Sequence, residues 1–258
     1  SDVYKRQFTT FLACFVKLST KSSSAAKLFN AVHKAQVSWN RIRPLFDSVN
    51  EEEDGKEWGP GDLEVKDVSF TYPDGKRVLE HVSFSAKPGQ IIGVTGPVAC
   101  GKSTLGKLFL CECPYEGTVR FAGKDLLQME EAERKGIVAY LGHDPELFHD
   151  SVRDNVLLGD EIDLKTYLKA VCIDREVSDM EEGEDTLIGN GGVRLSGGQA
   201  QRVALARTLC HKKPLLVLDD PFSALDKSTE KEVFANVRAM TRDSIAVSYT
   251  HLRAHETS

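Results

Sequence analysis

One octapeptide constrains the fold of this chain more than any other feature. Gly96-Pro-Val-Ala-Cys-Gly-Lys-Ser103 fits the pattern G-x-x-x-x-G-K-[ST]. A short apolar run, residues 91–94, comes directly before it, and a helical pattern extends from 102 to 110. A strand, a glycine-rich loop and a helix in this order bind phosphate, because loop N–H groups and the helix N-terminus stabilise an anion. The sequence therefore predicts a phosphate loop (residues 96–103), rather than a glycine-rich turn without a ligand.

Each residue type in the phosphate loop has an expected role. Lys102 should reach the β- and γ-phosphates of a nucleotide, and the Ser103 hydroxyl should ligate Mg²⁺. The Cys100 thiol, at a helix N-terminus beside Lys102, is expected to react readily. The other loop residues expected to contact the nucleotide are Gly96, Gly101 and Thr104.

Charge is distributed unevenly along the 258 residues. Lys and Arg number 33 against 39 Asp and Glu, which gives a net charge of −6. Residues 1–49 hold eight basic and two acidic side chains, so a basic head precedes an acidic body. This balance does not indicate a nucleic-acid partner. A content of 41% hydrophobic and 28% charged residues excludes a disordered chain and a polytopic membrane protein.

The six cysteines form no CxxC pair, so we do not expect them to bind a metal. A chain of this length needs no disulfide, which favours reduced thiols in a cytosolic compartment. No signal peptide is visible, and the apolar run 8–16 is far shorter than the ~20 residues that span a bilayer.

Both ends of the sequence have an unusual property. Residues 2–7 and 246–251 can be encoded by the two strands of one inverted repeat, as a sequencing-library adapter would leave behind. We therefore expect residues 1–7 and about 247–258 to be adapter-derived, and the natural chain to be truncated at both ends.

The segment before the phosphate loop divides into a head and a linker. Residues 8–49 show apolar side chains at three- and four-residue steps among basic ones, which is typical of a helix. The head is either an ordinary amphipathic helix or the cytoplasmic end of a truncated membrane helix, since cytoplasmic flanks are rich in Lys and Arg. Residues 50–61 are acidic and rich in glycine, which predicts a linker.

The remaining residues, 62–246, predict one α/β domain. Residues 63–70 and 78–84 alternate like half-buried strands around a turn at 73–75, which predicts an antiparallel lobe. Short apolar runs at 91–94, 137–141 and 215–218 are separated by helical patterns. Buried strands that alternate with helices indicate a mostly parallel central sheet.

A second motif follows the last of these apolar runs. In Leu215-Leu-Val-Leu-Asp-Asp220, a buried strand should place Asp219 at the carboxyl edge of the sheet, where open α/β sheets bind ligands. A carboxylate there suits Mg²⁺, which prefers oxygen ligands. An apolar run followed by an acid is common by itself, and the phosphate loop makes this one specific.

The pentapeptide Leu195-Ser-Gly-Gly-Gln199 precedes a helical run and begins 24 residues before Asp219. With it, residues 62–245 resemble the ATP-binding cassette (ABC) ATPases, whose signature is LSGGQ. The resemblance implies a P-loop NTPase fold with a helical signature subdomain. It also implies that Ser196, Gly197, Gly198 and Gln199 contact a nucleotide held by a partner chain, in a head-to-tail pair.

Further motifs match the same family. Tyr72 corresponds to the aromatic residue that stacks on adenine. Ser223-Ala-Leu-Asp226 corresponds to the loop that communicates across the pair, which assigns Asp226 to the nucleotide interface. Asp154-Asn155 and Asp185-Thr-Leu-Ile-Gly189 resemble elements of ABC exporters. The resemblance thus favours the membrane-helix interpretation of residues 8–49.

For an exporter, the resemblance implies an ATPase that converts ATP and water to ADP and phosphate and so powers transport across a membrane. Its partners would be a second half-transporter and the membrane, with the ATP-binding domain on the cytoplasmic side of the plasma membrane. Two alternatives remain open: a soluble ABC ATPase that acts on ribosomes or DNA, and a nucleotide-gated regulatory half with little hydrolysis of its own. The sequence does not indicate the transported substrate.

Two residues depart from the family pattern. Asp220 occupies the place of the glutamate that acts as general base, and its side chain is one methylene shorter. His143 replaces a glutamine that helps to ligate Mg²⁺ and to sense the γ-phosphate. We expect Lys102, Asp220 and His143 to form the catalytic set, with Ser103, Asp219 and His143 at the metal.

These departures predict slow hydrolysis at this chain's own site, as in one half of a heterodimeric exporter, although a homodimer is possible. His251 matches the family's γ-phosphate histidine but falls in the suspected adapter segment, so it is not included in the predicted site.

Overall fold

A computed structural model describes residues 2–47, 58–97, 100–189 and 191–249 of the chain. The chain divides into two units between residues 53 and 54. This division falls in the predicted linker 50–61, of which residues 50–57 lie outside the described part.

The first unit consists of a single helix, α1 (Asp2–Asp47). Its described apolar side chains are exposed, among them Phe8, Phe11 and Phe15 at 60% or more of their surface. Among the described residues, no helix combines the length and the apolar content needed to cross a membrane. The helical character of the head is as predicted, and its origin in a membrane domain stays a prediction.

The second unit alternates strands and helices. Its strands are β1 (Leu63–Thr71), β2 (Arg77–Ala86), β3 (Ile91–Val94), β4 (Glu116–Phe121), β5 (Lys124–Asp125), β6 (Val138–Leu141), β7 (Asp150–Ser151), β8 (Leu187–Ile188), β9 (Leu215–Asp219) and β10 (Ile245–Tyr249). Its helices are α2 (Lys102–Phe109), α3 (Glu131–Lys135), α4 (Val152–Leu157), α5 (Leu164–Ala170), α6 (Asp174–Ser178), α7 (Gly197–Cys210) and α8 (Lys227–Met240).

A parallel sheet with the strand order β3-β10-β9-β6 forms the centre of this unit. Every residue of β9 and β10 is buried, because helices cover both faces of the sheet. Leu105, Leu108 and Phe109 of α2 pack on one face, and Val203 and Leu205 of α7 belong to the core on the other. The predicted α/β class with a parallel central sheet is confirmed.

The predicted antiparallel lobe is also present, with the strand order β2-β1-β4-β5. Strands β4 and β5 were missed by the sequence analysis. Only Val119 and Phe121 of β4 are buried, and Gly117 has a left-handed backbone (φ +92°), so this strand has no apolar run.

The short helices α4, α5 and α6 lie between β6 and the signature segment (residues 195–199), and α4 and α5 pack on α7. Strand β10 includes Val247, Ser248 and Tyr249, which fall in the segment expected to be adapter-derived. Their side chains complete the sheet core between β3 and β9, and the origin of their codons stays a prediction.

Candidate functional site

The candidate site lies along the carboxyl edge of the parallel sheet. Val94 at the end of β3 is in register with Tyr249, and Tyr249 with Asp219 at the end of β9. On the other side of β9, Leu218 is in register with Leu141 at the end of β6. The phosphate loop, Asp219, Asp220 and His143 therefore all lie at or just after the ends of strands that meet at one edge of the sheet, which is where Asp219 was predicted.

The phosphate loop turns sharply where it enters α2. Gly101 has a left-handed backbone (φ +98°), and a Cβ there would overlap Val78 Cγ1 and lie 3.0 Å from the Val78 carbonyl oxygen. At Gly96, a Cβ would lie 2.7 Å from Cys100 Sγ. Because there is no room for a Cβ at either glycine, the backbone of the loop can turn tightly at both ends. The loop therefore forms a tight backbone cradle that suits a phosphate group. Val98 and Ala99 lie outside the described residues.

Lys102, one residue of the predicted catalytic set, lies across this loop. Its side chain is buried, and Nζ donates to the carbonyl oxygens of Gly96 and Pro97 at 2.8 Å and 2.9 Å. Cys100 Sγ lies 3.9 Å from the same nitrogen, and Cys100 is exposed. The ammonium group is thus held inside the loop, where it can exchange carbonyl partners for phosphate oxygens.

Tyr72, the predicted adenine contact, lies beside the first turn of α2. Its hydroxyl and Thr104 Oγ1 share a hydrogen bond of 2.9 Å. Its ring meets Phe70 edge to face, with centroids 4.8 Å apart, and about a third of the residue is exposed. The structure therefore brings the aromatic side chain and the phosphate-loop helix together, and the ring stays partly exposed.

Asp219 is buried beneath α2 together with two tyrosines. Tyr140 is in register with Val217 and Tyr249 with Asp219, so both rings share a sheet face with the carboxylate. Burial and the Asp219 carboxylate raise the pKa of Tyr140 to about 12. Burial likewise raises the pKa of Tyr249. Both tyrosines remain neutral at physiological pH. Tyr140 interacts with Asp219 as a hydrogen-bonding group, whereas the Tyr249 hydroxyl is buried without a hydrogen-bond partner among the described residues.

A magnesium ion would depend on oxygen ligands at this edge. In the described part of the chain, no group of three or more His, Cys, Asp or Glu side chains is arranged to hold a metal. Asp219 provides a carboxylate and Ser103, in the first turn of α2, an exposed hydroxyl. This donor set fits Mg²⁺, which takes one or two protein oxygens and completes its shell with phosphate and water.

Asp220 and His143 differ in exposure. Asp220 is buried and has a left-handed backbone (φ +51°), with its N–H donating to the Tyr249 carbonyl oxygen at 2.9 Å. His143 is exposed in the loop that follows β6. The structure thus places both departures at the predicted edge, and their chemical roles stay predictions.

The signature segment forms the capped start of α7. Ser196 accepts from Gln199 N at 3.2 Å while Gln199 Oε1 accepts from Ser196 N at 2.8 Å, a capping box. Gln199 Nε2 also donates to Glu176 of α6, which pairs with Arg202 at 2.6 Å. Burial acts to raise the pKa of Glu176, but the hydrogen bonds from Arg202 and Gln199 lower it overall. Helix α6 of the helical subdomain therefore stabilises the start of the signature helix through Glu176.

The outer surface of the signature is open. Ser196 is exposed, and no atom lies within 4 Å of where a Cβ on Gly197 would be. Within the described ranges, no hydrogen bond or ion pair joins the signature to the phosphate loop of the same chain. The structure does not bring these two predicted parts of the site together within one chain, as expected if the signature serves a partner.

Asp226 has a structural role of its own. Its carboxylate caps α8 by accepting from Ser228 and Thr229, through their hydroxyls at 2.5 Å and 2.6 Å and their backbone N–H groups. These hydrogen bonds, first from Ser228 and then from Thr229, lower the pKa of Asp226. Its predicted nucleotide contact stays a prediction.

The sequence analysis did not predict the hydrogen bonds by which several polar residues stabilise the site. Buried Asn155 accepts from Phe148 N at 2.9 Å, and Arg207 of α7 donates to the Glu146 carbonyl oxygen and to Asn155. Gln201 of α7 donates to the Asp220 carbonyl oxygen at 2.6 Å. A signal was available for Gln201, because it shares the helical stripe of Leu205 and Thr208, which predicts a buried amide.

Residues 79–223 match the family model described as ABC transporter. The chain is 32% identical over 254 residues to the multidrug resistance-like ATP-binding protein MdlA of Escherichia coli, covering 95% of this chain and 43% of that protein. It is 32% identical over 265 residues to the ATP-dependent lipid A-core flippase of Vibrio parahaemolyticus, covering 97% and 46%. The chain thus spans less than half the length of these relatives.

A solved structure of a bacterial Atm1-family ABC exporter with ATP bound is also similar. Its TM-score is 0.72 at 25% sequence identity, over 87% of this chain and 41% of that one. The ABC multidrug transporter mdr1 of Aspergillus fumigatus is 34% identical over 262 residues, which is 93% of this chain and 19% of the fungal protein.

Proposed function

Because this chain belongs to the ABC transporter family, we propose that it is the ATP-binding and ATP-hydrolysing part of an exporter half. The resemblance to an exporter-type ATP-binding domain and the P-loop NTPase fold are confirmed by the family match and the similar exporters. The domain is thus an ABC ATPase domain. One observation carries the proposal: the phosphate loop and Asp219 share a sheet edge, while the signature is braced with its outer face open.

In this proposal the residues of the site act on the nucleotide, on its Mg²⁺ ion or on the attacking water. Lys102 exchanges its loop carbonyl partners for the β- and γ-phosphates, and Tyr72 stacks on the base. Mg²⁺ held through Ser103 and Asp219 would neutralise phosphate charge. Asp220 orients the attacking water, but its side chain is one methylene shorter than the glutamate usual in the family. The carboxylate is therefore farther from the water, and hydrolysis at this site is slow.

The open signature supports a head-to-tail pair. Ser196, Gly197 and Gly198 would contact a nucleotide held by the phosphate loop of a partner, which completes two composite sites. Because Asp220 and His143 weaken only the site on this chain, the partner is a second half-transporter with a full catalytic site. We propose a heterodimer over a homodimer for this reason.

The membrane is the other proposed partner. The described apolar side chains of helix α1 are exposed, as those of a helix that continues a membrane domain would be. Such a head places the ATP-binding domain on the cytoplasmic side of the plasma membrane. The net negative charge of the chain gives no support to a role on ribosomes or DNA. Asp220 and His143 support a mainly regulatory half as the second candidate.

Mixing this chain with a candidate partner half and measuring ATPase activity tests the proposal. Ser196→Ala here should lower turnover of the mixture by at least ~10²-fold, because the signature serves the active composite site. Asp220→Asn should change turnover little, since it alters the slow site alone. A large loss from Asp220→Asn would contradict the slow-site assignment, and an unchanged rate with Ser196→Ala would contradict the head-to-tail pair.

Labelling of cysteine tests nucleotide binding separately. A maleimide should react with exposed Cys100, block ATP binding, and be excluded when Mg-ATP is present. Exposed Cys14 on α1 is the internal control, because its labelling should not depend on nucleotide. Mass spectrometry of the labelled peptides measures both. Equal labelling of Cys100 with and without Mg-ATP would contradict the placement of the nucleotide.

A further inference from the structure

A buried glutamine joins the signature helix to the turn that follows β9 in the same chain. Gln201 Nε2 donates to the Asp220 carbonyl oxygen at 2.6 Å and to Ser223 Oγ at 3.4 Å. Its Oε1 accepts from Ala224 N at 3.4 Å. Gln201 is 3% exposed, so water does not compete for these hydrogen bonds. The side chain therefore bridges two segments that belong to different composite sites.

A backbone contact joins the same two segments. A Cβ on Gly198 would lie 2.9 Å from the Ala224 carbonyl oxygen, so the signature backbone lies directly against the turn. Closely packed backbone has no flexible side chain that could absorb a displacement. A shift at the start of α7 must therefore move the turn formed by residues 220–224.

The turn in question orients Asp220. The left-handed backbone of this residue (φ +51°) is unusual for a side chain larger than glycine and persists where its surroundings hold it. Its N–H donates to the Tyr249 carbonyl oxygen, and its carbonyl oxygen accepts from Gln201. These two hydrogen bonds lie on the two sides of the Asp220 Cα, so together they set the direction of the carboxylate.

We propose that Gln201 is a positioning residue that holds Asp220 at its own nucleotide site and couples it to the signature segment. The inference rests on the proposed function, because it takes Asp220 to orient the attacking water. Contact of the signature with a partner's nucleotide would then act on Asp220 within the same chain. The two composite sites of a pair are thereby linked through each chain as well as across the interface.

Gln201→Met tests the bridge, because methionine has a similar size and offers neither the donor nor the acceptor. We expect the single-turnover rate of ATP hydrolysis by the full chain, in excess over Mg-ATP, to fall by ~10- to 10²-fold. The Kd for ATP should not change, since the phosphate loop is untouched. Thr208→Val is the matched control, because this buried hydroxyl on α7 donates to Ala204 O of its own helix at 2.9 Å and to no other group in the described part of the chain.

A double-mutant comparison separates positioning from a general loss of structure. In the Asp220→Asn background, Gln201→Met should cause no further loss of rate, because the carboxylate that Gln201 positions is already absent. Equal losses in both backgrounds would overturn the proposal. If the methionine variant does not fold, Gln201→Glu decides, because it keeps an acceptor for Ala224 N and offers no donor to Asp220.

Hydrogen exchange of the nucleotide-free chain gives a readout that needs no hydrolysis. The Ala224 amide should exchange at least ~10-fold faster in Gln201→Met than in the wild type. Unchanged exchange, or faster exchange with an unchanged rate of hydrolysis, would overturn the positioning role. A wild-type chain that neither binds nor hydrolyses ATP would overturn the proposed function and with it this role, while the exchange result would still decide whether the bridge exists.

Discussion

Gly101→Ala is expected to lower the affinity for ATP by at least ~10²-fold, or about 3 kcal/mol of binding free energy. The left-handed backbone at Gly101 disfavours any L side chain by about 1–2 kcal/mol. The added methyl group would also overlap Val78 Cγ1 and lie 3.0 Å from the Val78 carbonyl oxygen. The loop can relieve this overlap only by moving away from β2, which opens the phosphate cradle. Equilibrium titration with ATP and thermal unfolding measure the two effects.

Gly75→Ala is the matched control for this substitution. Gly75 also has a left-handed backbone (φ +86°), but no atom lies within 4 Å of the added Cβ. The Gly75→Ala variant should therefore lose about 1 kcal/mol of unfolding free energy, because of the backbone conformation alone, and keep its affinity for ATP. If both variants bind ATP equally well, the close packing of Gly101 on Val78 is not what shapes the cradle.

The parts of the site that could be predicted from the sequence are those whose chemistry lies in a short segment. The phosphate loop and the signature each combine glycines with a helix start. The structure has α2 beginning at Lys102, as expected, and α7 beginning at Gly197, three residues before the helical run that the sequence indicated. Asp219 could be placed because strand direction in a parallel sheet decides which end of the strand carries ligands.

Residues that act through distant partners could not be found in this way. Gln201 and the Asp220 carbonyl are 19 residues apart in sequence, and their hydrogen bond depends on how α7 packs on the central sheet. Tyr140 approaches Asp219 only because β6 and β9 are neighbours in the sheet. Strand β4 was missed for a related reason, since its pairing with β1 rather than its own pattern makes it a strand.

Asp220→Glu is expected to raise the rate of ATP hydrolysis by ~10- to 10²-fold, because one more methylene advances the carboxylate by about an ångström toward the attacking water. The structure also explains why aspartate is tolerated here. At φ +51°, aspartate adopts the left-handed conformation more readily than glutamate, so the variant should be less stable by about 1 kcal/mol. Single-turnover assays with Mg-ATP and thermal unfolding measure the gain and the loss in the same samples.

Asp163→Glu provides the control, because Asp163 caps α5 in the helical subdomain and the added methylene is the same. Its rate of hydrolysis should equal that of the wild type.

His143→Gln, which restores the other departure, should raise the rate further when combined with Asp220→Glu, since both side chains follow strands that end at one sheet edge. An Asp220→Glu variant that binds ATP normally but hydrolyses it no faster would show that the length of this side chain does not limit the reaction, and the slow site would then have to be attributed to His143.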